Sequence, residues 1–159
     1  MSADPPRADR LAAAVHAALA RRGQVVACAE SLTGGELAAQ LSGMPGASAT
    51  FVGGVVSYAS ALKRSLLGVT AERVVSAECA EQMAVGARSL LTADWALATT
   101  GVAGPESQED QPVGTVFLGL ASARGCRTIR LALPGDRAAV RSGTCVAALR
   151  LLLEELDED

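Results

Sequence analysis

Ser31, Tyr58 and Lys63 are the side chains whose types and spacing best suit covalent chemistry in this chain. Ser31 lies in "AESLTGG", between the apolar run "VVAC" and the paired Gly34 and Gly35. A serine at such a junction has three readings: a helix cap, a ligand for an anion at a helix N-terminus, or a nucleophile. Ser31 or Thr33 as a simple cap is the local reading. The stretch lacks the GxxxxGK[ST] phosphate loop. It also lacks GxSxG, because Ala29 holds the place of the first glycine. A nucleophilic serine needs a base. The single histidine, His16, falls on an early helix, far in sequence from both glycine turns. Lys63 in "SYASALK" is the only lysine, and Tyr58 in the same segment is the only tyrosine. Lysine can give up its proton when buried, whereas arginine effectively cannot. A Ser–Lys pair is a recognised variant of triad logic. The plainer alternative is a surface lysine and a tyrosine at a strand end.

A second glycine turn, "TTGVAGP", offers Thr99, Thr100, Gly101 and Gly104. It is either a tight turn closed by Pro105 or a backbone cradle facing the first. Gly34 and Gly35 remove side chains that would keep a ligand from backbone donors. In "PGDRAAVRSG", Arg137 and Arg141 stand at i and i+4. They form either a forked phosphate site or a solvated helix face. The four cysteines, Cys28, Cys79, Cys126 and Cys145, have no metal-ligand spacing. Reduced, mostly buried cytoplasmic thiols are expected.

These residues need strands and helices to hold them. The pattern predicts a helix over 8–21, capped by Asp9 and closed by Gly23, then a buried strand in "QVVACAE". "GGELAAQLSGM" reads as a helix ended by Pro45 and Gly46. "ATFVGGVVSYA" reads as a strand in which Gly53 and Gly54 mark a bulge or a close backbone approach. A short helix in "LKRSLLG" and a longer one over 76–93 follow, the latter with a stripe from Ala80 to Leu91. "DWALATTG" is a strand, "ESQEDQ" a polar loop, and "VGTVFLGLAS" with "CRTIRLALPG" a hairpin through "ARG". A helix from Arg137 to Leu156 closes the chain. The expectation is an α/β fold: one three-layer α/β/α domain over 8–156 with a mixed sheet, a flexible segment over 1–7 and an acidic tail over 157–159. In such sheets, ligands lie on the turns beyond the strand carboxyl ends, where both glycine turns fall.

The 159 residues are enough for one domain, and half are hydrophobic but only 3% aromatic, so the core is Ala, Val and Leu. The net charge of −3 and the lack of a basic run argue against a general affinity for nucleic acid. No stretch has the length and apolarity of a membrane span, and "MSADPPRADR" does not have the pattern of a secretory signal.

Seven segments in order, "ESLTGG", "SYASALK", "LLGV", "VSAECAEQMA", "TTGVAGP", "PVGTVFLGLA" and "GDRAAVR", resemble the C-terminal domain of the CinA family. Its stand-alone members are nicotinamide-nucleotide amidohydrolases. The resemblance covers about residues 8 to 153. It implies hydrolysis of the carboxamide of nicotinamide mononucleotide to nicotinic acid mononucleotide and ammonia, a step that recycles NAD. It implies a metal-free, cofactor-free Ser–Lys mechanism in a cytoplasmic homo-oligomer. By motif, Ser31 is the nucleophile, Lys63 the base, and Tyr58 orients Lys63 or relays a proton. Backbone donors around Thr33, Gly34 and Gly35 hold the oxyanion. Ser60, Thr100, Gly101, Gly104, Arg137 and Arg141 are the expected substrate-binding positions. The chain departs from the family pattern at Leu32, where Cys is common, at Ser60, where Asn is common, and in "ESQEDQ", where glycine prevails. A non-catalytic nucleotide-binding or protein-interaction module linked to competence and DNA damage is the alternative.

Overall fold

The computed structural model describes residues 7–158. Helix α1 (Arg7–Arg22) leads into β1 (Val26–Glu30), α2 (Glu36–Ser42), a 3-10 turn (Ala47–Ala49) and β2 (Phe51–Val56). Then come α3 (Ser60–Leu67), α4 (Ala77–Leu90), β3 (Trp95–Gly101), β4 (Thr115–Ser122), β5 (Gly125–Ala132) and α5 (Arg137–Glu158). The sheet order is β2-β1-β3-β4-β5. Strands β1, β2 and β3 run parallel, and the β4–β5 hairpin adds antiparallel to β3. This is the expected mixed sheet between two helical layers.

The two sheet faces differ in residue size. Val26 and Cys28 of β1, Trp95 and Leu97 of β3, and Val116, Leu118 and Leu120 of β4 pack with the buried faces of α1, α2 and α5. Ala27, Ala29, Ala96, Ala98 and Ala121 meet α4 and the end of α3. Strand alternation sorts large residues to one layer and alanines to the other. On the alanine side the backbones come very close. A Cβ on Gly119 of β4 would stand 2.3 Å from the carbonyl oxygen of Ala80 in α4. One on Gly86 of α4 would stand 2.1 Å from the carbonyl oxygen of Leu67. Gly119→Ala is therefore expected to destabilise the fold by about 1–3 kcal/mol, the usual cost of overpacking. Chemical denaturation checks this; a midpoint equal to that of the wild type would contradict the close approach.

Several boundaries shift from the sequence expectation. Arg7 already belongs to α1, and residues 1–6 of the expected flexible segment lie outside the described residues. Asp157 and Glu158 of the expected tail are helical, and Asp159 lies outside the described residues. Asp9 sits in the first turn of α1 rather than capping it. Helix α2 stops at Gly43, before Pro45. The bulge is at Val52, where Val26 pairs with Phe51 and Ala27 with Gly53, while Gly54 marks a close approach: a Cβ there would stand 2.7 Å from the Cys28 sulfur. His16 is structural. Its Nε2 lies 2.8 Å from the Leu41 carbonyl and its Nδ1 2.5 Å from the Thr50 hydroxyl. Among the described residues no helix is long and apolar enough to cross a membrane.

Candidate active site

Connections leave β1 for β2 on one side, and β3 lies on the other side of β1. The crevice beyond the carboxyl ends of β1 and β3 is thus a topological switch point, the preferred ligand position in such sheets. A pocket of about 140 Å³ opens there. Ser31, Tyr58, Ser60 and Lys63 line it, joined by Thr100, Gly101, Gly104 and Arg137. Eight of the positions singled out in the sequence therefore meet in one cavity.

The turn after β1 is built differently from the sequence expectation. Neither Ser31 nor Thr33 caps α2, whose N-cap Gly35 has no side-chain cap bond. Glu30 does the capping. It is fully buried, and its two carboxylate oxygens accept the N–H groups of Leu37 at 2.8 Å and Ala38 at 3.0 Å. These are the second and third residues of α2, the donors a local Ser or Thr cap would serve. The negative charge also suits the positive end of the helix. The Thr33 hydroxyl is paired with that of Thr99 at 2.8 Å, and the Ser31 N–H donates to the Thr99 carbonyl at 2.9 Å. The Ser31 hydroxyl is left to the pocket.

Gly34 and Gly35 adopt φ of 58° and 100°, the left-handed region that glycine tolerates best. A Cβ on Gly34 would stand 3.3 Å from the Arg141 guanidinium, and one on Gly35 3.6 Å from Val56. The glycines therefore shape the turn and admit neighbours. Thr33, Gly34, Gly35 and Arg141 are not in the pocket wall. The Gly34 N–H is bonded to the Ser31 carbonyl at 3.1 Å. Arg141 instead donates from Nε to the Leu32 carbonyl and from a terminal nitrogen to the Thr33 carbonyl, both at 3.0 Å. Its fork is spent on main chain rather than phosphate.

Lys63 is only 1% exposed. Its Nζ donates to the carbonyls of Ser57 at 2.7 Å and Tyr58 at 3.2 Å. Among the described residues no carboxylate forms an ion pair with it. Burial pushes its pKa below the ordinary lysine value, against weaker opposing influences of Cys79 and Glu109. A neutral amine has two N–H bonds and one lone pair. The two carbonyls take the N–H bonds and leave the lone pair for a proton donor in the pocket.

Tyr58 reaches Lys63 through its main-chain carbonyl, not through its phenol. The phenol oxygen accepts from Arg137 at 2.8 Å. Arg137 also donates to the Gly104 carbonyl at 2.7 Å, so it ties the tyrosine to the second glycine turn. The Thr100 hydroxyl donates to the Val74 carbonyl. Sequence reasoning missed the rest of the wall. Glu106 and Gln108 of "ESQEDQ" line the pocket, as do Val74 and Val75. The loop is strapped down by Glu109, whose carboxylate accepts the N–H groups of Val74 at 2.9 Å and Val75 at 3.3 Å. A run of acidic and amide residues reads as solvated loop; only the unpaired N–H groups ahead of α4 explain its place.

Residues 8–156 match the family model described as "CinA C-terminal domain". The chain belongs to this family. A "CinA-like protein" of Frankia casuarinae is 50% identical over 149 residues, covering 91% of this chain and 34% of the relative. A "putative competence-damage inducible protein" of Desulforudis audaxviator is 47% identical over 140 residues, covering 84% of this chain and 34% of the relative. The chain thus spans about a third of the length of the curated relatives it matches. Among solved structures, a CinA superfamily protein from Klebsiella pneumoniae 700603 superposes with TM-score 0.92 at 36% identity, covering 96% of this chain and 99% of that one. A competence/damage-inducible protein from Agrobacterium tumefaciens gives TM-score 0.90 at 34% identity, with 99% of each chain covered. The α/β/α architecture is thus that of the CinA superfamily. Among the described residues of this CinA domain, no three His, Cys, Asp or Glu side chains converge in a way that would hold a metal.

Proposed function

We propose that this CinA domain hydrolyses the carboxamide of nicotinamide mononucleotide, with Ser31 as nucleophile and Lys63 as base. One observation carries the reading: a buried lysine that forms no ion pair among the described residues shares a pocket with a serine that does not cap the helix after it. The lone pair of Lys63 takes the Ser31 proton as Oγ attacks the carboxamide carbon. The main-chain N–H groups of Ala103 and Gly104 in the pocket wall are the oxyanion donors in this reading, since the Val102 N–H is already bonded to the Thr115 carbonyl. Collapse expels the amide nitrogen, which takes the proton back from Lys63 and leaves as ammonia. Lys63 then deprotonates a water that attacks the acyl-enzyme. The carboxylic acid leaves and the proton returns to Ser31.

Arg137 is the phosphate anchor in this reading. Its two known acceptors, Tyr58 and Gly104, are uncharged, so its positive charge is available at the pocket. Ammonia release from nicotinamide mononucleotide, beside nicotinamide and its riboside, tests the assignment. Release from the mononucleotide alone is expected. Release from all three would describe a broader amidase, and binding without release a non-catalytic module. Arg137→Ala is expected to raise KM for the mononucleotide about ten-fold, equivalent to about 1.4 kcal/mol. An unchanged KM would exclude Arg137 as the anchor.

A further inference from the structure

The turn that carries Ser31 is gripped on both sides by an acidic and a basic side chain that take no step in the reaction. We propose that Glu30 and Arg141 are a pair of positioning residues that fix Ser31 relative to Lys63. The proposal rests on Ser31 being the nucleophile of the preceding section.

From the inside, Glu30 does more than cap a helix. Its carboxylate holds the N–H groups of Leu37 and Ala38. Its own carbonyl accepts the Ser57 N–H at 2.8 Å, and the Ser57 carbonyl accepts Lys63 Nζ at 2.7 Å. One residue therefore connects the start of α2, the strand end that presents Ser31, and the peptide that holds the base. From the outside, Arg141 takes the carbonyls of Leu32 and Thr33 in one fork. Its guanidinium also lies 3.9 Å from the Glu36 carboxylate. Ser31 sits between these anchors, one residue after Glu30 and one before Leu32.

The N-cap position itself is closed to a Ser or Thr, because Gly35 holds φ of 100° there, so the cap has to come from outside the helix. A carboxylate supplied by the preceding strand end does what a local cap cannot: it couples β1 to α2 across the turn. Arg141, fixed on α5, adds a second reference frame by orienting two successive peptide planes. A nucleophile displaced by about 1 Å loses on the order of 10²-fold in rate.

The test is steady-state kinetics of Glu30→Gln and Arg141→Lys with nicotinamide mononucleotide, beside the rate at which a fluorophosphonate labels Ser31. Each variant is expected to lower kcat by on the order of 10²-fold with KM nearly unchanged, and to slow labelling by the same factor. The pH midpoint of the rate should stay in place, because Lys63 keeps both carbonyls. Should Glu30→Gln fail to fold, Arg141→Lys carries the test, because that side chain is 33% exposed and its loss buries no unpaired charge. Unchanged kcat with a lowered melting temperature would reduce the pair to structural caps and overturn the proposal. A raised KM with unchanged kcat for Arg141→Lys would make Arg141 a substrate ligand and also overturn it. A wild type that labels at Ser31 but releases no ammonia defeats only the substrate reading, and the labelling rates still decide the positioning role. A wild type that does not label overturns both.

Discussion

Lys63→Met is expected to lower turnover by on the order of 10⁴–10⁶-fold, the scale on which a nucleophile or its base is lost from such a site. Methionine fills a similar volume but supplies neither the lone pair nor the two N–H groups that reach Ser57 and Tyr58. Continuous ammonia measurement checks the loss; turnover within ten-fold of the wild type would remove Lys63 as base. The same variant reads the charge state of the amine. Burial lowers the Lys63 pKa in the folded chain, while the unfolded chain keeps the ordinary value of about 10.4. Below the lowered value both states are protonated, and the folded state bears the full cost of burying the charge. Between the two values the unfolded chain holds more protons, so this residue's contribution to stability rises with pH. Wild-type stability should therefore gain on that of Lys63→Met as pH climbs through this window, then level off above it. The two carbonyls left bare in the variant cost about 1–3 kcal/mol each at every pH, so they offset the curves without changing their slope. Wild-type kcat/KM should rise with pH through the same lowered pKa, because only the neutral amine can act as base.

Ser31→Ala should be as severe for turnover, on the order of 10⁴–10⁶-fold, and nearly silent for stability. The bonds that Ser31 contributes to the fold are main-chain ones: its N–H donates to Thr99 and its carbonyl accepts from Gly34. Alanine keeps both. A melting temperature near that of the wild type, with mononucleotide binding preserved in calorimetry and ammonia release abolished, is the expected triad of results. Retained ammonia release would sink the nucleophile assignment. The double variant Ser31→Ala with Lys63→Met should be no slower than either single one, since the two groups act in one proton transfer. Multiplying losses would mean that they work independently.

The elements were legible because the chain alternates clear patterns: "VVACAE" as a buried strand, alanine and leucine at helical spacing, and glycine at the turns. The pocket was legible where chemistry and rarity coincided, at Ser31, Tyr58 and Lys63. The turn "ESLTGG" hides its cap, because the local Thr and Ser candidates lie three and five residues ahead of α2 and do not cap it. The cap comes from Glu30 at the end of β1, and a link between a strand end and the next helix has no period to find. Arg141 was paired with Arg137 by helical spacing alone. Four residues at about 100° each bring two side chains to one face but do not place both in one cavity. Arg137 stands at the start of α5, beside Gly104, whereas Arg141 sits one turn further along, beneath the Ser31 turn. "ESQEDQ" looked like solvent-exposed filler because the value of Glu109 depends on two N–H groups more than thirty positions upstream.

Most of the side chains that hold this site grip peptide groups rather than other side chains. Lys63 reads the carbonyls of residues 57 and 58, Arg141 those of 32 and 33, Arg137 that of 104, and Thr100 that of 74. Glu30 and Glu109 read N–H groups. Every residue brings the same carbonyl to such a contract, whatever its side chain. The positions that accept these contacts are thus free to drift, and the donors need no compensating change elsewhere. Inheritance of the site then requires keeping only a handful of polar letters and the path of the backbone. Any residue in the place of Leu32 would leave its carbonyl on offer to Arg141.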